Sequence, residues 1–270
     1  MKSRCESRDS EPAPVVEAFV LAGARASGDP LAEAHNLPSK AHIKIAGASM
    51  ISRVLSALSK SQTSGCVTVI GLENHHALQS EEAWPPVNLA EGGRGPAASV
   101  NRRLNEIGGC SPLLVTTCDH ALLSPVIINA FLEQSIASNA DLTVALSQRE
   151  LIERHYPETS RTYLRFGDGE YSSCNLFCLL TPKAQQVVKF WEVAEQDRKR
   201  PWRIAWRFGL IPALRILVGR PSLEQVFYIV SKQLGVAIRP VVLPFAEAAI
   251  DVDTSEDLAL VERILLAQTE

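Results

Sequence analysis

Asp119 follows the apolar run Pro112-Leu113-Leu114-Val115 through Thr116-Thr117-Cys118, and a second pair of acids closes another apolar stretch in Ile250-Asp251-Val252-Asp253-Thr254. A strand that is apolar throughout reads as one covered on both faces, and ligands of open α/β sheets bind outside the carboxyl ends of such strands. A third feature is Ala18-Phe19-Val20-Leu21-Ala22-Gly23-Ala24-Arg25-Ala26-Ser27-Gly28, which runs from a strand into small residues and one cation. Small residues let backbone N–H groups approach phosphate oxygens, and Lys40, beyond Pro30 and Pro38, adds a mobile positive charge. Carboxylates at two strand ends beside a phosphate-type loop point to one site for a hard divalent cation. Each piece has a plainer reading as well. Asp119 would serve equally as a cap for the helix beginning near Ser124-Pro125, and Arg25 and Lys40 as solvated charges around a tight turn.

The rest of the chain must position those residues. With 270 residues and 46% hydrophobic content, it can bury a sizeable core as a globular protein. The net charge of −3 leaves no bulk basic field of the kind expected for a nucleic-acid binder, so anion recognition must be local. The six cysteines form no C-x-x-C and meet no histidine pair at zinc-finger spacing, which argues against structural zinc and for small core residues. The polar segment 1–14 lacks a signal-peptide apolar region, and no run approaches the length of a membrane span, so a cytoplasmic location is expected.

Strand patterns alternate with helical ones. Val15–Leu21, Cys66–Gly71, Leu113–Thr117 and Leu142–Ala145 read as strands, and Met50–Ser59, Ala97–Ile107 and Val126–Ser138 as helices, which implies βαβ units on a mostly parallel sheet. Thr162–Phe166 and Asn175–Leu180 flank the turn residues Gly167-Asp168-Gly169-Glu170, predicting a small antiparallel part. A helical stretch from about 182 to 235, a strand Ala237–Leu243 and a closing helix Ser255–Ala267 complete the pattern. The expected organisation is a tail over 1–14 and a single domain over 15–270, with a helical basic insertion near 183–235.

Taken together, Val20-Leu21-Ala22-Gly23, Ser39-Lys40-Ala41, Ile45-Ala46-Gly47-Ala48-Ser49-Met50, Pro96-Ala97-Ala98-Ser99, Cys118-Asp119-His120-Ala121-Leu122-Leu123, the segment Gly169–Phe177 and Asp251–Leu258 resemble, in order, the nucleotidyltransferases related to molybdenum-cofactor guanylyltransferase and the sugar-1-phosphate nucleotidyltransferases. The resemblance spans about residues 15–265. It implies a Rossmann-like three-layer α/β fold, glycosyltransferase-A-like, and a Mg²⁺-dependent enzyme that transfers an NMP from an NTP to a phosphorylated acceptor with release of pyrophosphate. It further implies that Leu21, Ala22, Gly23, Ala24 and Arg25 lie on the triphosphate, with Lys40 as the signature lysine. Gly95 and Ser99 fall in the base- and ribose-contacting region, Asn175 where acceptor contacts lie, and Asp119 and Asp253 at the metal, with Asp251 as a further metal ligand.

The glycine signature is altered. Ala24, Ala26 and Gly28 stand where the family has its second glycine, third glycine and arginine, and Arg25 is out of register. Alanine at a left-handed position costs about 1–2 kcal/mol, so a nucleotide-binding protein without turnover is one alternative. A glycosyltransferase using a nucleotide-sugar is another, because Asp251-Val252-Asp253 has the D-x-D form. Segment 198–220 carries seven basic residues and no acid, with Trp202, Trp206, Leu210, Leu214 and Leu217 at helical spacing. It reads either as a packed helix or as an amphipathic helix that grips an anionic acceptor or makes weak contact with an anionic membrane surface.

Overall fold

The computed structural model describes residues 15–23, 28–63, 65–72, 87–109, 112–196 and 219–268. Residues 24–27 of the N-terminal loop, the tail 1–14 and most of the basic segment 198–220 lie outside them. In chain order the elements are β1 (Glu17–Leu21), α1 (Pro30–Ala34), β2 (Lys44–Ile45), β3 (Ala48–Ser49), α2 (Met50–Ser59), β4 (Val67–Ile70), β5 (Val87–Ala90), α3 (Pro96–Glu106), β6 (Leu113–Thr117), α4 (Pro125–Ala137), β7 (Leu142–Gln148), α5 (Arg149–His155), β8 (Leu164–Phe166), β9 (Gly169–Leu179), α6 (Gln185–Gln196), α7 (Leu223–Leu234), β10 (Ile238–Val242) and α8 (Ser255–Ala267).

The main sheet runs β10-β7-β9-β6-β1-β4-β5, with β8 beside β9. Every pair is parallel except those made by β9, which lies antiparallel to β6, β7 and β8. The expected α/β architecture is therefore present. β9 is longer than the Asn175–Leu180 strand expected from sequence, because its first half pairs with β8 and the far end of β7. From β1 the chain moves outward through β4 to β5, then returns to the other flank of β1 as β6. That reversal creates a crevice at the carboxyl ends of β1 and β6, the switch point where α/β sheets bind ligands.

Two cores sandwich the sheet. One packs Ile51, Val54, Leu55 and Leu58 of α2 and Ile127, Ile128, Phe131 and Leu132 of α4 against one face, and the other packs Val100, Leu104, Val188 and Val236 against the opposite face. Both Phe19 and Val20 of β1 are fully buried, one facing each layer, as period-2 alternation requires. A third cluster joins Leu31, Ile43, Ile45, Met50, Leu122, Ile250, Val252 and Leu260 below the crevice.

Close packing at the strand ends depends on glycine. Gly23, Gly71 and Gly92 follow β1, β4 and β5 and abut one another, and a Cβ on Gly71 would stand 2.8 Å from the Gly23 Cα. Gly71 also has a φ of +83°, whereas Gly47, in the two-residue turn between β2 and β3, has a similar φ of +86° but open space around it. Gly47→Ala should therefore lose only the left-handed penalty, about 1 kcal/mol. Gly71→Ala should lose clearly more, since backbone must also shift. Thermal denaturation of both variants checks the ranking, and equal losses would mean that the glycine stack is not a constraint.

Candidate active site

Asp119 sits two residues beyond β6, where Cys118 N donates to the Leu21 carbonyl at 2.9 Å and so ties the ends of β6 and β1 together. It is not the helix cap considered from sequence. Ser124 fills that role, its hydroxyl accepting from Ile127 N at 3.3 Å, which leaves the Asp119 carboxylate for another purpose. The 250–253 strand end reaches the same place because Val252 N donates to the Asp119 carbonyl at 3.0 Å. Along that segment Ile250 and Val252 are completely buried in the third cluster, and the alternation turns Asp251 and Asp253 the other way.

Lys40 completes the group. It opens a short 3₁₀ turn, Lys40–His42, capped by the Ser39 hydroxyl, which accepts from Ala41 N. Its ammonium lies 2.6 Å from Asp119 Oδ2 and 2.6 Å from Asp253 Oδ1, and 3.3 Å from the Val252 carbonyl. Burial alone would pull the Lys40 pKa down. Attraction to Asp119, and hydrogen bonds to Asp119 and Asp253, outweigh that and hold the ammonium well above its ordinary value.

The donor set suits a hard cation. Oxygens of Asp119 and Asp253 converge on one point, marked by the Lys40 ammonium, and Asp119 Oδ1 is buried with no hydrogen-bond partner. The Asp119 side chain is 12% exposed and that of Asp253 46%, so the pair opens to solvent on one side only. No group of three or more His, Cys, Asp or Glu able to hold a metal occurs among the described residues. Two carboxylates plus ligand phosphates and water is the pattern by which Mg²⁺ is usually held, since it dehydrates reluctantly.

Asp251 does not join that pair. The Arg161 guanidinium contacts Asp251 Oδ1, Asn175 Nδ2 donates to Asp251 Oδ2 at 2.9 Å, and Arg161 Nη2 donates to the Asp251 carbonyl at 2.8 Å and to Asp257 Oδ1 at 2.6 Å. The D-x-D sequence thus sends its two side chains to different partners. Asp257 in turn accepts from Asp253 N and Thr254 N at the start of α8, in a reciprocal capping box with Thr254. Arg161 is the member of this network that sequence reading missed. A lone arginine between Ser160 and Thr162 carries no local signal, although Thr254 followed by Asp257 is a recognisable helix start. Asn175 takes a φ of +50°, a conformation asparagine tolerates better than most residues, where the β7–β9 register shifts.

Across the crevice, the α3 entry loop is built from Gly92 to Pro96. Ser99 Oγ donates to the Gly95 carbonyl at 2.8 Å and accepts from Gly93 N at 2.8 Å, so it fixes the loop in shape. Leu21, Ala22 and Gly23 end β1 beside Asp119, with Ala22 N bonded to the Ile70 carbonyl, while Ala24 and Arg25 fall outside the described residues. Cys118, Cys174 and Cys178 are buried and free, and burial raises their thiol pKa, that of Cys178 to about 12, as expected of core residues rather than nucleophiles.

Burial, and then repulsion from Asp119, push the Asp251 carboxyl up to about 6 against the pull of Arg161. A folded-state pKa raised above the unfolded value means that ionised Asp251 costs stability, a cost absent near pH 4 and complete above pH 6. In chelator, the Tm of Asp251→Asn relative to the native protein should therefore rise as the pH is raised from 4 to 6, on top of a pH-independent loss from the Arg161 and Asn175 donors that the amide does not satisfy at both positions. Melting curves at several pH values check this, and a relative Tm that falls over that window would reverse the assignment.

The sequence matches the family described as MobA-like NTP transferase domain over residues 18–234, a span that holds Lys40, Asp119 and Asn175. No curated protein matches the chain. Among solved structures it is similar to a hypothetical transferase from Thermus thermophilus, with 29% identity and a TM-score of 0.76 over 90% of this chain and 98% of that one. It is also similar to 4-diphosphocytidyl-2C-methyl-D-erythritol synthase from Anaerococcus prevotii, at 10% identity and a TM-score of 0.55 over 93% and 98% of the two chains. CMP:2-keto-3-deoxy-manno-octonic acid synthetase in complex with CTP gives 13% identity and a TM-score of 0.56 over 95% and 99%. These last two share the fold. On the family match, which spans most of its length, the chain belongs to the MobA-like NTP transferase domain family and is a nucleotidyltransferase.

Proposed function

We propose that this enzyme transfers an NMP from an NTP to a phosphorylated acceptor, with Mg²⁺ held by Asp119 and Asp253. The convergence of Lys40, Asp119 and Asp253 at the β1/β6 switch point carries this reading. An acceptor phosphate oxygen attacks the α-phosphorus, the bond from that phosphorus to the bridging oxygen of the β-phosphate breaks, and pyrophosphate leaves. Two anions must meet in that step, so the site has to neutralise charge and hold geometry, and it needs no covalent help from the protein. When bound, Mg²⁺ supplies charge neutralisation at the phosphate oxygens.

The chain's own residues divide the remaining work. Leu21 and Ala22 hold the strand end in the sheet, so that the loop that follows, through Gly23, Ala24 and Arg25, receives the phosphates, and Lys40 adds a cation already poised 2.6 Å from both acids. Gly95 and Ser99 shape the loop that takes the base and ribose. Asn175 reaches the acceptor side while fixing Asp251, which with Arg161 keeps the 251–253 segment in place.

Incubation with each of the four common NTPs, Mg²⁺ and a panel of phosphorylated acceptors should release pyrophosphate in an acceptor-dependent way. Asp119→Asn and Asp253→Asn should each lower that rate by about 100-fold or more with the fold intact, the scale seen when one preorganised electrostatic group is removed. Wild-type Mg²⁺-dependent rates in both variants would rule out the metal assignment. NTP binding without pyrophosphate release under any acceptor would instead favour the non-catalytic alternative. Lys40→Ala should weaken NTP binding more than Arg25→Ala, and titration of both variants with NTP gives the ranking.

A further inference from the structure

On the outer side of α2 lies a cleft of about 800 Å³, bounded by the β2–β3 hairpin, the segment Ala121–Pro125 and the end of α8. Neither Lys40, Asp119, Asp251 nor Asp253 lines it. Its volume suits a small-molecule ligand of metabolite size.

Its charge is one-sided. Lys44, Arg53 and Lys60 line it and no carboxylate does. On α2 and its C-cap, Ser52, Arg53, Ser56 and Lys60 fall at helical spacing, so two cations and two hydroxyls share one face. Arg53 is half-buried, and its fork donates to backbone carbonyls, from Nε and Nη2 to that of Ile45 and from Nη2 to that of Ala46 at 3.0 Å. Carbonyls orient a guanidinium without neutralising it. Among the described residues Lys44, Arg53 and Lys60 have no acidic partner, whereas Arg102, Arg149 and Arg161 each meet two carboxylates. Arg53 pays for its burial with a lowered pKa. A pre-oriented, uncompensated guanidinium flanked by lysines is the arrangement that recognises phosphate. Leu37, Leu122 and Leu265 add apolar surface to its lining.

We infer that this cleft is a second binding site, separate from the acid–lysine group, for a phosphate-bearing molecule with an apolar portion. The phosphate meets Arg53, Lys44 and Lys60, and the apolar portion lies against the leucines.

Calorimetric titration of the full chain with octyl phosphate, inorganic phosphate and octyl glucoside tests this. Octyl phosphate should bind at least ten-fold more tightly than inorganic phosphate, and octyl glucoside should not saturate. The double variant Lys44→Ala, Lys60→Ala changes two exposed side chains and should weaken octyl phosphate at least ten-fold while leaving NTP affinity unchanged, whereas Lys40→Ala should leave octyl phosphate binding intact. Sedimentation with phosphatidylglycerol vesicles separates two sources of the phosphate: capture that the double variant loses indicates a lipid headgroup, and octyl phosphate binding without capture indicates a soluble ligand. Equal binding of octyl glucoside, unchanged affinity in the double variant, or loss of binding in Lys40→Ala would overturn the proposal.

Discussion

Three charged side chains from positions 40, 119 and 253 must be held together although the two carboxylates repel each other and Lys40 and Asp119 are largely withdrawn from water. What holds them is apolar. Ile43, Ile45, Leu122, Ile250 and Val252 form one buried cluster contributed by the same three chain segments, so each charged residue is a close neighbour of its own anchor. Burying a branched aliphatic side chain is worth about 1.5–3 kcal/mol, and several such anchors exceed the cost of fixing short loops at a common point. The single hydrogen bond from Val252 N to the Asp119 carbonyl then sets the register between two segments far apart in sequence.

Electrostatics are divided among separate partners instead of pooled. Lys40 serves Asp119 and Asp253, while Arg161 serves Asp251 and Asp257. Arg161 has a rigid fork and can bridge two carboxylates and a carbonyl at once, a structural task. Lys40 carries a compact charge on a flexible stem that can follow a ligand without disturbing the backbone. His120, next to Asp119, is buried and pulled down to about 4 by that burial, so it stays neutral and adds no cation to the crevice.

Much of this was legible in the amino-acid sequence. The strands β1, β4, β6 and β7 are apolar runs because helices cover both faces, and α2, α3 and α4 declare themselves by periodicity and by Ser or Pro at their starts. β5 was missed because it is the last strand of the sheet, with Asn88 and Leu89 exposed, and an edge strand need not be apolar. The β2–β3 hairpin was missed because its turn uses Ala46 at a φ of +44°, where glycine or asparagine would have given the signal. Asp119, Lys40 and Asp253 were found as strand-end and loop charges, yet the separation of Asp251 from Asp253 was not, since it depends on Arg161 arriving from a loop about 90 residues earlier.

β9 lies between β6 and β7 but follows both in the chain. During synthesis, β1, β4, β5 and β6 can pair with one another as soon as residue 117 is free. The outer side of β6 nevertheless remains an open edge until residue 179 emerges, β7 has no link to that half-sheet before then, and β10, made later still, adds to β7. A nascent chain of intermediate length therefore carries a half-sheet with an exposed apolar border, the species most open to wrong pairing. Insertion of one reversed strand both welds the two halves and, by ending that exposure, marks the moment at which the second half of the molecule becomes able to fold.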